Sequence, residues 1–225
     1  VTFVEGRAIS MGRNLSFHPI IDILKQWANI KDDDGEAASF GKLETVVKSV
    51  FPEEIAEVLP FLGTLMGMKL SGSYAERIKG IEGEALEKLI IKAIRDLLIK
   101  SCNIRPLVIV IEDLHWADPS TLELLRFILS EFKHPALFLC VYRPTFTLFK
   151  THPPSNFEKI HREIRLYDLS SLDAQDMIGS LLKTDTIPAD LQKFLNAKAE
   201  GNPFYLEEVI NSLIESEKLV KDNGS

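Results

Sequence analysis

Two adjacent carboxylates, Glu112 and Asp113, are the residues whose type and position best suit chemistry. They follow five consecutive apolar residues, Leu107–Ile111, which predict a buried parallel β-strand. In parallel α/β sheets, ligands bind beyond the carboxyl ends of the strands. A carboxylate fixed there can hold Mg²⁺, directly or through its waters, and orient an attacking water. A solvated strand end followed by a capped helix gives the same pattern, so both interpretations stay open.

Arg143 follows a second apolar run, 136–142, in the sequence Tyr142-Arg143-Pro144. A guanidinium pairs bidentately with phosphate, so an arginine at a strand end near two acids can sense a terminal phosphate. A lone arginine after a strand is more commonly a surface residue. The neighbouring acids favour the phosphate role for Arg143.

Gly201 and Pro203 form a third candidate segment, within residues 199–208 (AEGNPFYLEE). Glycine can adopt the left-handed conformation that ends one helix, and proline suits the first turn of the next. This turn chemistry is a complete structural explanation of the two residues. A role in ligand binding therefore needs support from elsewhere.

The elements that position these residues are predicted from the spacing of apolar side chains. Strands are predicted at 1–5, 107–111, 136–142 and 161–169. Helices are predicted at 19–30, twice within 40–68, and at 84–102, 119–132, 173–183, 188–199 and 203–217. Residues 71–83 are expected to be a mobile connection. Asp118 with Pro119 is expected to start the helix at 119, and Ser171 or Asp173 to cap the one after residue 170.

This order predicts an α/β fold with a parallel sheet, followed by helices only. We expect residues 1–170 to form the α/β core, with a helical insert at about 19–82, and residues 171–225 to form a small helical subdomain.

The segment 107–125 (LVIVIEDLHWADPSTLELL) resembles the Walker B segment of STAND ATPases, which are relatives of AAA+ proteins. The nearest group is the predicted-ATPase module of bacterial transcriptional activators and adenylate cyclases. The resemblance implies that Glu112 is the Mg²⁺ acid and Asp113 the catalytic base. Many relatives have Asp where this chain has Glu112, which leaves direct or water-mediated metal contact open. His115 and Trp116 match as well, and packing is the preferred role for Trp116.

The two other segments are similar to parts of the same family. Arg143 matches the sensor 1 position, which implies contact with the γ-phosphate. Gly201 and Pro203 match the Gly-x-Pro segment of the helical lid, and the proline of that segment packs near the nucleotide base. The implied fold is a P-loop NTPase core of AAA+/STAND type with a lid, binding Mg-ATP between sheet and lid. The implied role is a slowly hydrolysing switch attached to an effector domain in the same polypeptide.

The family's phosphate-binding loop, GxxxxGK[ST], does not occur in the 225 residues. In similar proteins it follows a strand flanked by the sensor strand and the last strand. We therefore expect a fragment that begins one element late, binds ATP poorly and hydrolyses almost none. Strand 136–142 would keep an open edge for pairing with another chain. The rival interpretation is a non-catalytic interaction scaffold with the ATPase fold; a metabolic kinase is a weaker third.

Composition excludes several other classes. The chain has 26 Lys and Arg against 33 Asp and Glu, a net charge of −7, which argues against non-specific nucleic-acid binding. No apolar stretch reaches the roughly 18 residues of a membrane span, and no signal peptide is evident, so a cytoplasmic protein is expected. Cys102 and Cys140 form no CxxC pair and are expected to be free, mostly buried thiols. HExxH, GxSxG and GxGxxG motifs do not occur.

Overall fold

The chain divides into two compact units, Val1–His161 and Arg162–Ser225. The computed structural model describes residues 1–10, 16–149, 160–184, 186–216 and 218–219. Among these residues, none of the helices combines the length and apolar character needed to cross a bilayer.

The sheet of the first unit contains three parallel strands in the order β1-β2-β3, among the residues described. The strands are β1 (Thr2–Arg7), β2 (Leu107–Glu112) and β3 (Ala136–Cys140). In register, Phe3 pairs with Val108 and Val108 with Leu137. The predicted apolar strand is thus the central strand. The predicted α/β class with a parallel sheet is confirmed.

Six helices accompany this sheet in the described part of the first unit. They are α1 (His18–Trp27), α2 (Glu36–Val50), α3 (Ile55–Leu65), α4 (Gly72–Ile78), α5 (Gly83–Ile104) and α6 (Pro119–Glu131). Side chains of α1, α5 and α6 line one small apolar gap with Ile109, Ile111 and Phe138 of the sheet. These three helices therefore cover one face of the sheet, and their side chains form a hydrophobic core with those of the strands.

Gly6 sets how closely β1 packs on α1. A Cβ built at this position would lie 2.1 Å from the carbonyl oxygen of Pro19, which no side chain can tolerate. The glycine therefore lets the backbone of β1 and the first turn of α1 touch. This contact fixes the carboxyl end of β1, where Arg7 follows.

The opposite face of the sheet carries exposed apolar side chains. Phe3 on β1 and Leu137, Leu139 and Val141 on or beside β3 are all 44–57% exposed. Val110 on the central strand is only 8% exposed. The prediction that 107–111 is a buried strand is confirmed, while apolar side chains of the strands that flank it are exposed on this face.

Two predicted elements were wrong. Residues 71–83, expected to be a mobile connection, contain α4, whose Tyr74 hydroxyl donates to Glu44 at 3.0 Å and whose Arg77 pairs with Glu57 at 2.8 Å. These tertiary contacts stabilise a helix that is rich in poor helix formers. Residues 161–169, expected to be a strand, do not form one. Ile164 and Leu166 are more than 80% exposed there, and apolar alternation without a partner strand does not make a sheet.

The second unit contains three described helices, α7 (Ser171–Leu182), α8 (Ala189–Ala199) and α9 (Pro203–Glu215). Ser170 and Asp173 form a capping box at the start of α7, so Asp173 has the expected role, while Ser171 lies inside the helix. The core of this unit is separate and consists of Ala174, Ile178, Leu195, Ala199, Leu206 and Ile210.

Candidate functional site

The central strand ends in Glu112, and Asp113 makes the turn that follows. Asp113 has a left-handed backbone (φ 54°, ψ 34°), and a short 3-10 helix, Leu114–Trp116, begins directly after it. This conformation is uncommon for residues other than glycine, although Asp and Asn tolerate it best. The abrupt turn brings two acids to the same point, at the carboxyl edge of the sheet.

The end of β3 is tied to this turn by its backbone. Val141 N donates to Ile111 O at 2.9 Å, and Leu114 N donates to Val141 O at 2.9 Å. Arg143 follows Val141 by two residues and is exposed. The structure therefore brings Glu112, Asp113 and Arg143 to one edge of the sheet, as their positions after two neighbouring strands predict.

Arg7 is a fourth charged residue at this edge, and sequence reasoning missed it. It is the register partner of Glu112, and Ala8 N donates to Glu112 O at 3.0 Å. The Arg7 Nε atom lies 3.6 Å from Asp113 Oδ2, and the two side chains are 63% and 44% exposed. Arg7 could have been found by the pattern that identified Arg143, which is a cationic residue just after a predicted strand.

The 3-10 helix and the start of α6 hold the acidic turn in place. Leu114 is fully buried, and Trp116 packs against the core with its ring centroid 5.1 Å from that of His115. Asp118 accepts a hydrogen bond from Thr121 N at 2.9 Å, which confirms the predicted cap of α6. Anchors on both sides therefore limit the positions that Asp113 can adopt.

Glu112 and Asp113 fit a divalent cation that also takes ligands from a substrate. Both are partly exposed, so their carboxylates can reach a ligand above the edge. The described residues contain no group of three or more His, Cys, Asp and Glu that could enclose a metal. Mg²⁺ commonly binds through one or two carboxylates, with waters and phosphates completing its shell.

Gly201 and Pro203 belong to the second unit. Gly201 has φ +81°, its carbonyl accepts from Leu169 N at 2.7 Å, and a Cβ there would lie 2.8 Å from the Asp168 Cβ. Pro203 occupies the first turn of α9 after the Asn202 cap. The turn chemistry predicted for both residues is confirmed, and their role toward a nucleotide stays a prediction.

The sheet and its edge define a class of protein. A parallel sheet whose central strand ends in two carboxylates, with an arginine after the neighbouring strand, has the layout of an α/β nucleotide-binding core. A basic groove for nucleic acid or an enclosed metal cage would need groups that this edge does not show among the described residues.

Comparison with known families agrees with this class and narrows it. The model of the AAA ATPase domain matches residues 1–141, which include Arg7, Glu112 and Asp113. The chain belongs to this family, and the match supports a nucleotide-binding ATPase module related to the P-loop ATPases. The matched range ends before Arg143. No curated protein and no solved structure matches the chain.

Proposed function

We propose that this chain is the sheet-and-lid part of an ATP-dependent switch of the STAND class. The observation that carries the proposal is the pair Glu112–Asp113 at the carboxyl end of the central strand, in a chain of the AAA ATPase family. The switch would regulate an effector domain of the same, cytoplasmic polypeptide, for example in signalling or transcription.

Each charged residue at this edge would have a role that follows from its chemistry. Glu112 ends the strand and would hold the Mg²⁺ of Mg-ATP, which neutralises phosphate charge during phosphoryl transfer. Asp113 sits one residue further, in a turn held on both sides, and would orient the attacking water and accept its proton. Arg143 would pair with the γ-phosphate.

Residues 171–225 would serve as the lid. In this proposal Gly201 and Pro203, in the turn between α8 and α9, couple the nucleotide to the helical unit. A change of nucleotide state would then move the lid as a rigid body or by a hinge. Slow hydrolysis would reset the switch.

The missing phosphate-binding loop limits what the 225 residues do alone. Without backbone amides and a lysine around the β- and γ-phosphates, most of the binding free energy for ATP is lost. We propose that the longer polypeptide supplies the loop. Titration of the chain with Mg-ATP, followed by calorimetry, should give an affinity weaker than about millimolar, and micromolar affinity would contradict this part of the proposal.

Turnover in the natural polypeptide is the decisive test. Asp113→Asn removes the proposed base and should lower the rate of ATP hydrolysis by about 10²-fold or more. Glu112→Gln should raise the Mg²⁺ concentration needed for half-maximal rate. Glu123→Gln, at an exposed position of α6, is the matched control. It should leave the rate of hydrolysis and the Mg²⁺ concentration for half-maximal rate unchanged. Equal rates in all four proteins would refute the assignment.

A non-catalytic scaffold is the second candidate; it would keep the ATPase fold and would lack GxxxxGK[ST] in the natural polypeptide as well as in the 225 residues. It predicts no Mg-ATP binding by the natural polypeptide either. One titration of that polypeptide with Mg-ATP therefore distinguishes the two functions.

A further inference from the structure

Arg7 is held by its backbone beside the two acids, while its side chain is largely exposed to solvent. Gly6 fixes the end of β1 against Pro19, and Ala8 N bonds to Glu112 O at 3.0 Å. The guanidinium is 63% exposed and meets Asp113 at 3.6 Å. As the last residue of β1, Arg7 therefore has a fixed backbone, while its exposed guanidinium can still leave the ion pair.

The ion pair places one positive charge beside two negative ones. Arg7 and Glu112 are register partners, so their side chains project from the same face, and Asp113 is the ion-pair partner of Arg7. An exposed pair of this kind contributes little to folding stability. The same charge weakens the binding of a divalent ion, because a cation bound to the acids would be repelled by a guanidinium a few ångströms away.

We propose that Arg7 is the built-in counter-cation of the Glu112–Asp113 pair. It neutralises Asp113 in the nucleotide-free chain and must turn away before a divalent cation binds. This inference rests on the proposed function, which places Mg²⁺ at these acids. Arg7 acts as a positioning residue through Asp113, and it weakens the binding of Mg²⁺ at the edge when no phosphate is present.

The consequence is measurable without nucleotide. Mn²⁺ alone, as a paramagnetic substitute for Mg²⁺, is titrated into the 225-residue chain while the broadening of the Asp113 and Leu114 amide signals is followed by NMR. Arg7→Gln keeps a polar side chain of similar reach and removes the charge. It should tighten Mn²⁺ binding at these amides by about threefold to tenfold at low salt, and less at high salt.

Two further variants make the result specific to position and charge. Arg105→Gln removes an equal charge from an exposed arginine that precedes the opposite end of β2, and it should leave the affinity at Asp113 unchanged. Arg7→Lys restores the charge and should return the affinity towards that of the natural chain. The urea midpoint of Arg7→Gln should equal that of Arg105→Gln, since the ion pair is exposed.

The outcomes separate the inference from the proposed function. Equal Mn²⁺ affinity at Asp113 in Arg7→Gln and Arg105→Gln overturns the role of Arg7 and leaves the metal assignment standing. Broadening that is absent in the natural chain and in Arg7→Gln overturns the inference, while the proposed function, in which the metal arrives with ATP, is decided by the turnover test. Tighter binding in Arg7→Gln that is lost again when Glu112→Gln and Asp113→Asn are added supports both.

Discussion

Asp118 and Thr121 bond to each other through two hydrogen bonds inside the core. Thr121 N donates to Asp118 Oδ1 at 2.9 Å, and Thr121 Oγ1 donates to Asp118 Oδ2 at 2.5 Å. The two residues are 2% and 0% exposed. A carboxylate at this depth is tolerated because each of its oxygens accepts a hydrogen bond. It also lies at the N-terminus of α6, where the first backbone amides of the helix are free.

Replacing Asp118 should destabilise the first unit. Asp118→Ala removes the cap and leaves a buried hydroxyl without its acceptor, which costs about 2 kcal/mol or more. Asp118→Asn keeps one acceptor and should cost less. Both tryptophans of the sequence, Trp27 and Trp116, lie in the first unit. Urea unfolding followed by tryptophan fluorescence therefore reports on this unit alone.

A cap in the second unit provides the matched control. Asn202 caps α9 by accepting from Phe204 N at 3.0 Å, and Asn202→Ala should leave the tryptophan transition unchanged. If Asp118→Ala unfolds at the same urea concentration as the natural chain, the buried cap does not stabilise α6.

Gly201 and Glu200 should respond in opposite directions to substitution. Both have left-handed backbones, with φ +81° and φ 48°. Gly201→Ala would force a Cβ to 2.8 Å from Asp168 Cβ, so it should destabilise the second unit by more than about 1 kcal/mol. Glu200→Gly removes the strain of a side chain in this region and should stabilise the unit by up to about 1 kcal/mol. Hydrogen exchange of α8 and α9 measures both effects, and a loss of protection in Glu200→Gly would contradict the assignment.

The two thiols should be poor nucleophiles in the folded chain. Burial raises the pKa of Cys102 and the pKa of Cys140, each to about 11. At pH 8 the thiolate fraction is then about a hundredfold lower than in an unfolded chain. Alkylation by iodoacetamide should be slower in the native chain by at least this factor. Cys102→Ser leaves Cys140 as the single reporter, and a rate equal to that in urea would show that this thiol is not protected.

The same pKa shifts predict that the folding stability falls at high pH. A thiol whose pKa is higher in the folded state stabilises the fold fully below its unfolded pKa, near 9. This contribution is lost as the pH rises from about 9 towards 11. The urea midpoint of the natural chain should therefore fall over this range more than that of Cys102→Ser.

The parts of the fold predicted correctly depend on local signals. An uninterrupted apolar run identifies β2, and Asp118-Pro119 marks the start of α6 within one residue. Glu112 and Asp113 lie at the carboxyl edge of the sheet simply because they follow the apolar residues of β2 in the sequence. These features need no information about residues far along the chain.

The missed features depend on contacts between distant residues. Arg7 joins the site because the register of β1 sets it opposite Glu112, more than 100 residues away. The helix α4 forms because Glu44 and Glu57 bind it from α2 and α3. The alternation at 161–169 predicts a strand, although a strand also requires a partner that the described residues do not provide.

The two edges of the sheet differ in how their backbone groups are covered. On β1, Glu5 N donates to Gln26 Oε1 at 2.7 Å, and the His18 ring nitrogen Nδ1 lies 3.2 Å from Arg7 O. Side chains of α1 thus contact two of the backbone groups on this edge. On β3, the bonds of Pro135 and Val141 to β2 direct the backbone groups of Phe138 and Cys140 outward, where the described residues place no further strand.

This asymmetry predicts that β3 pairs with another strand and that β1 does not. In the isolated chain the partner at high concentration would be a second copy, joined edge to edge through β3. Leu139→Lys places a charge on the open edge strand and should weaken self-association by at least tenfold in sedimentation velocity. Phe3→Lys is the matched control, since Phe3 is similarly exposed on the same face of β1. Equal weakening by both variants would show that copies associate through the apolar face, and a chain that stays monomeric at every concentration would show that the edge is not used.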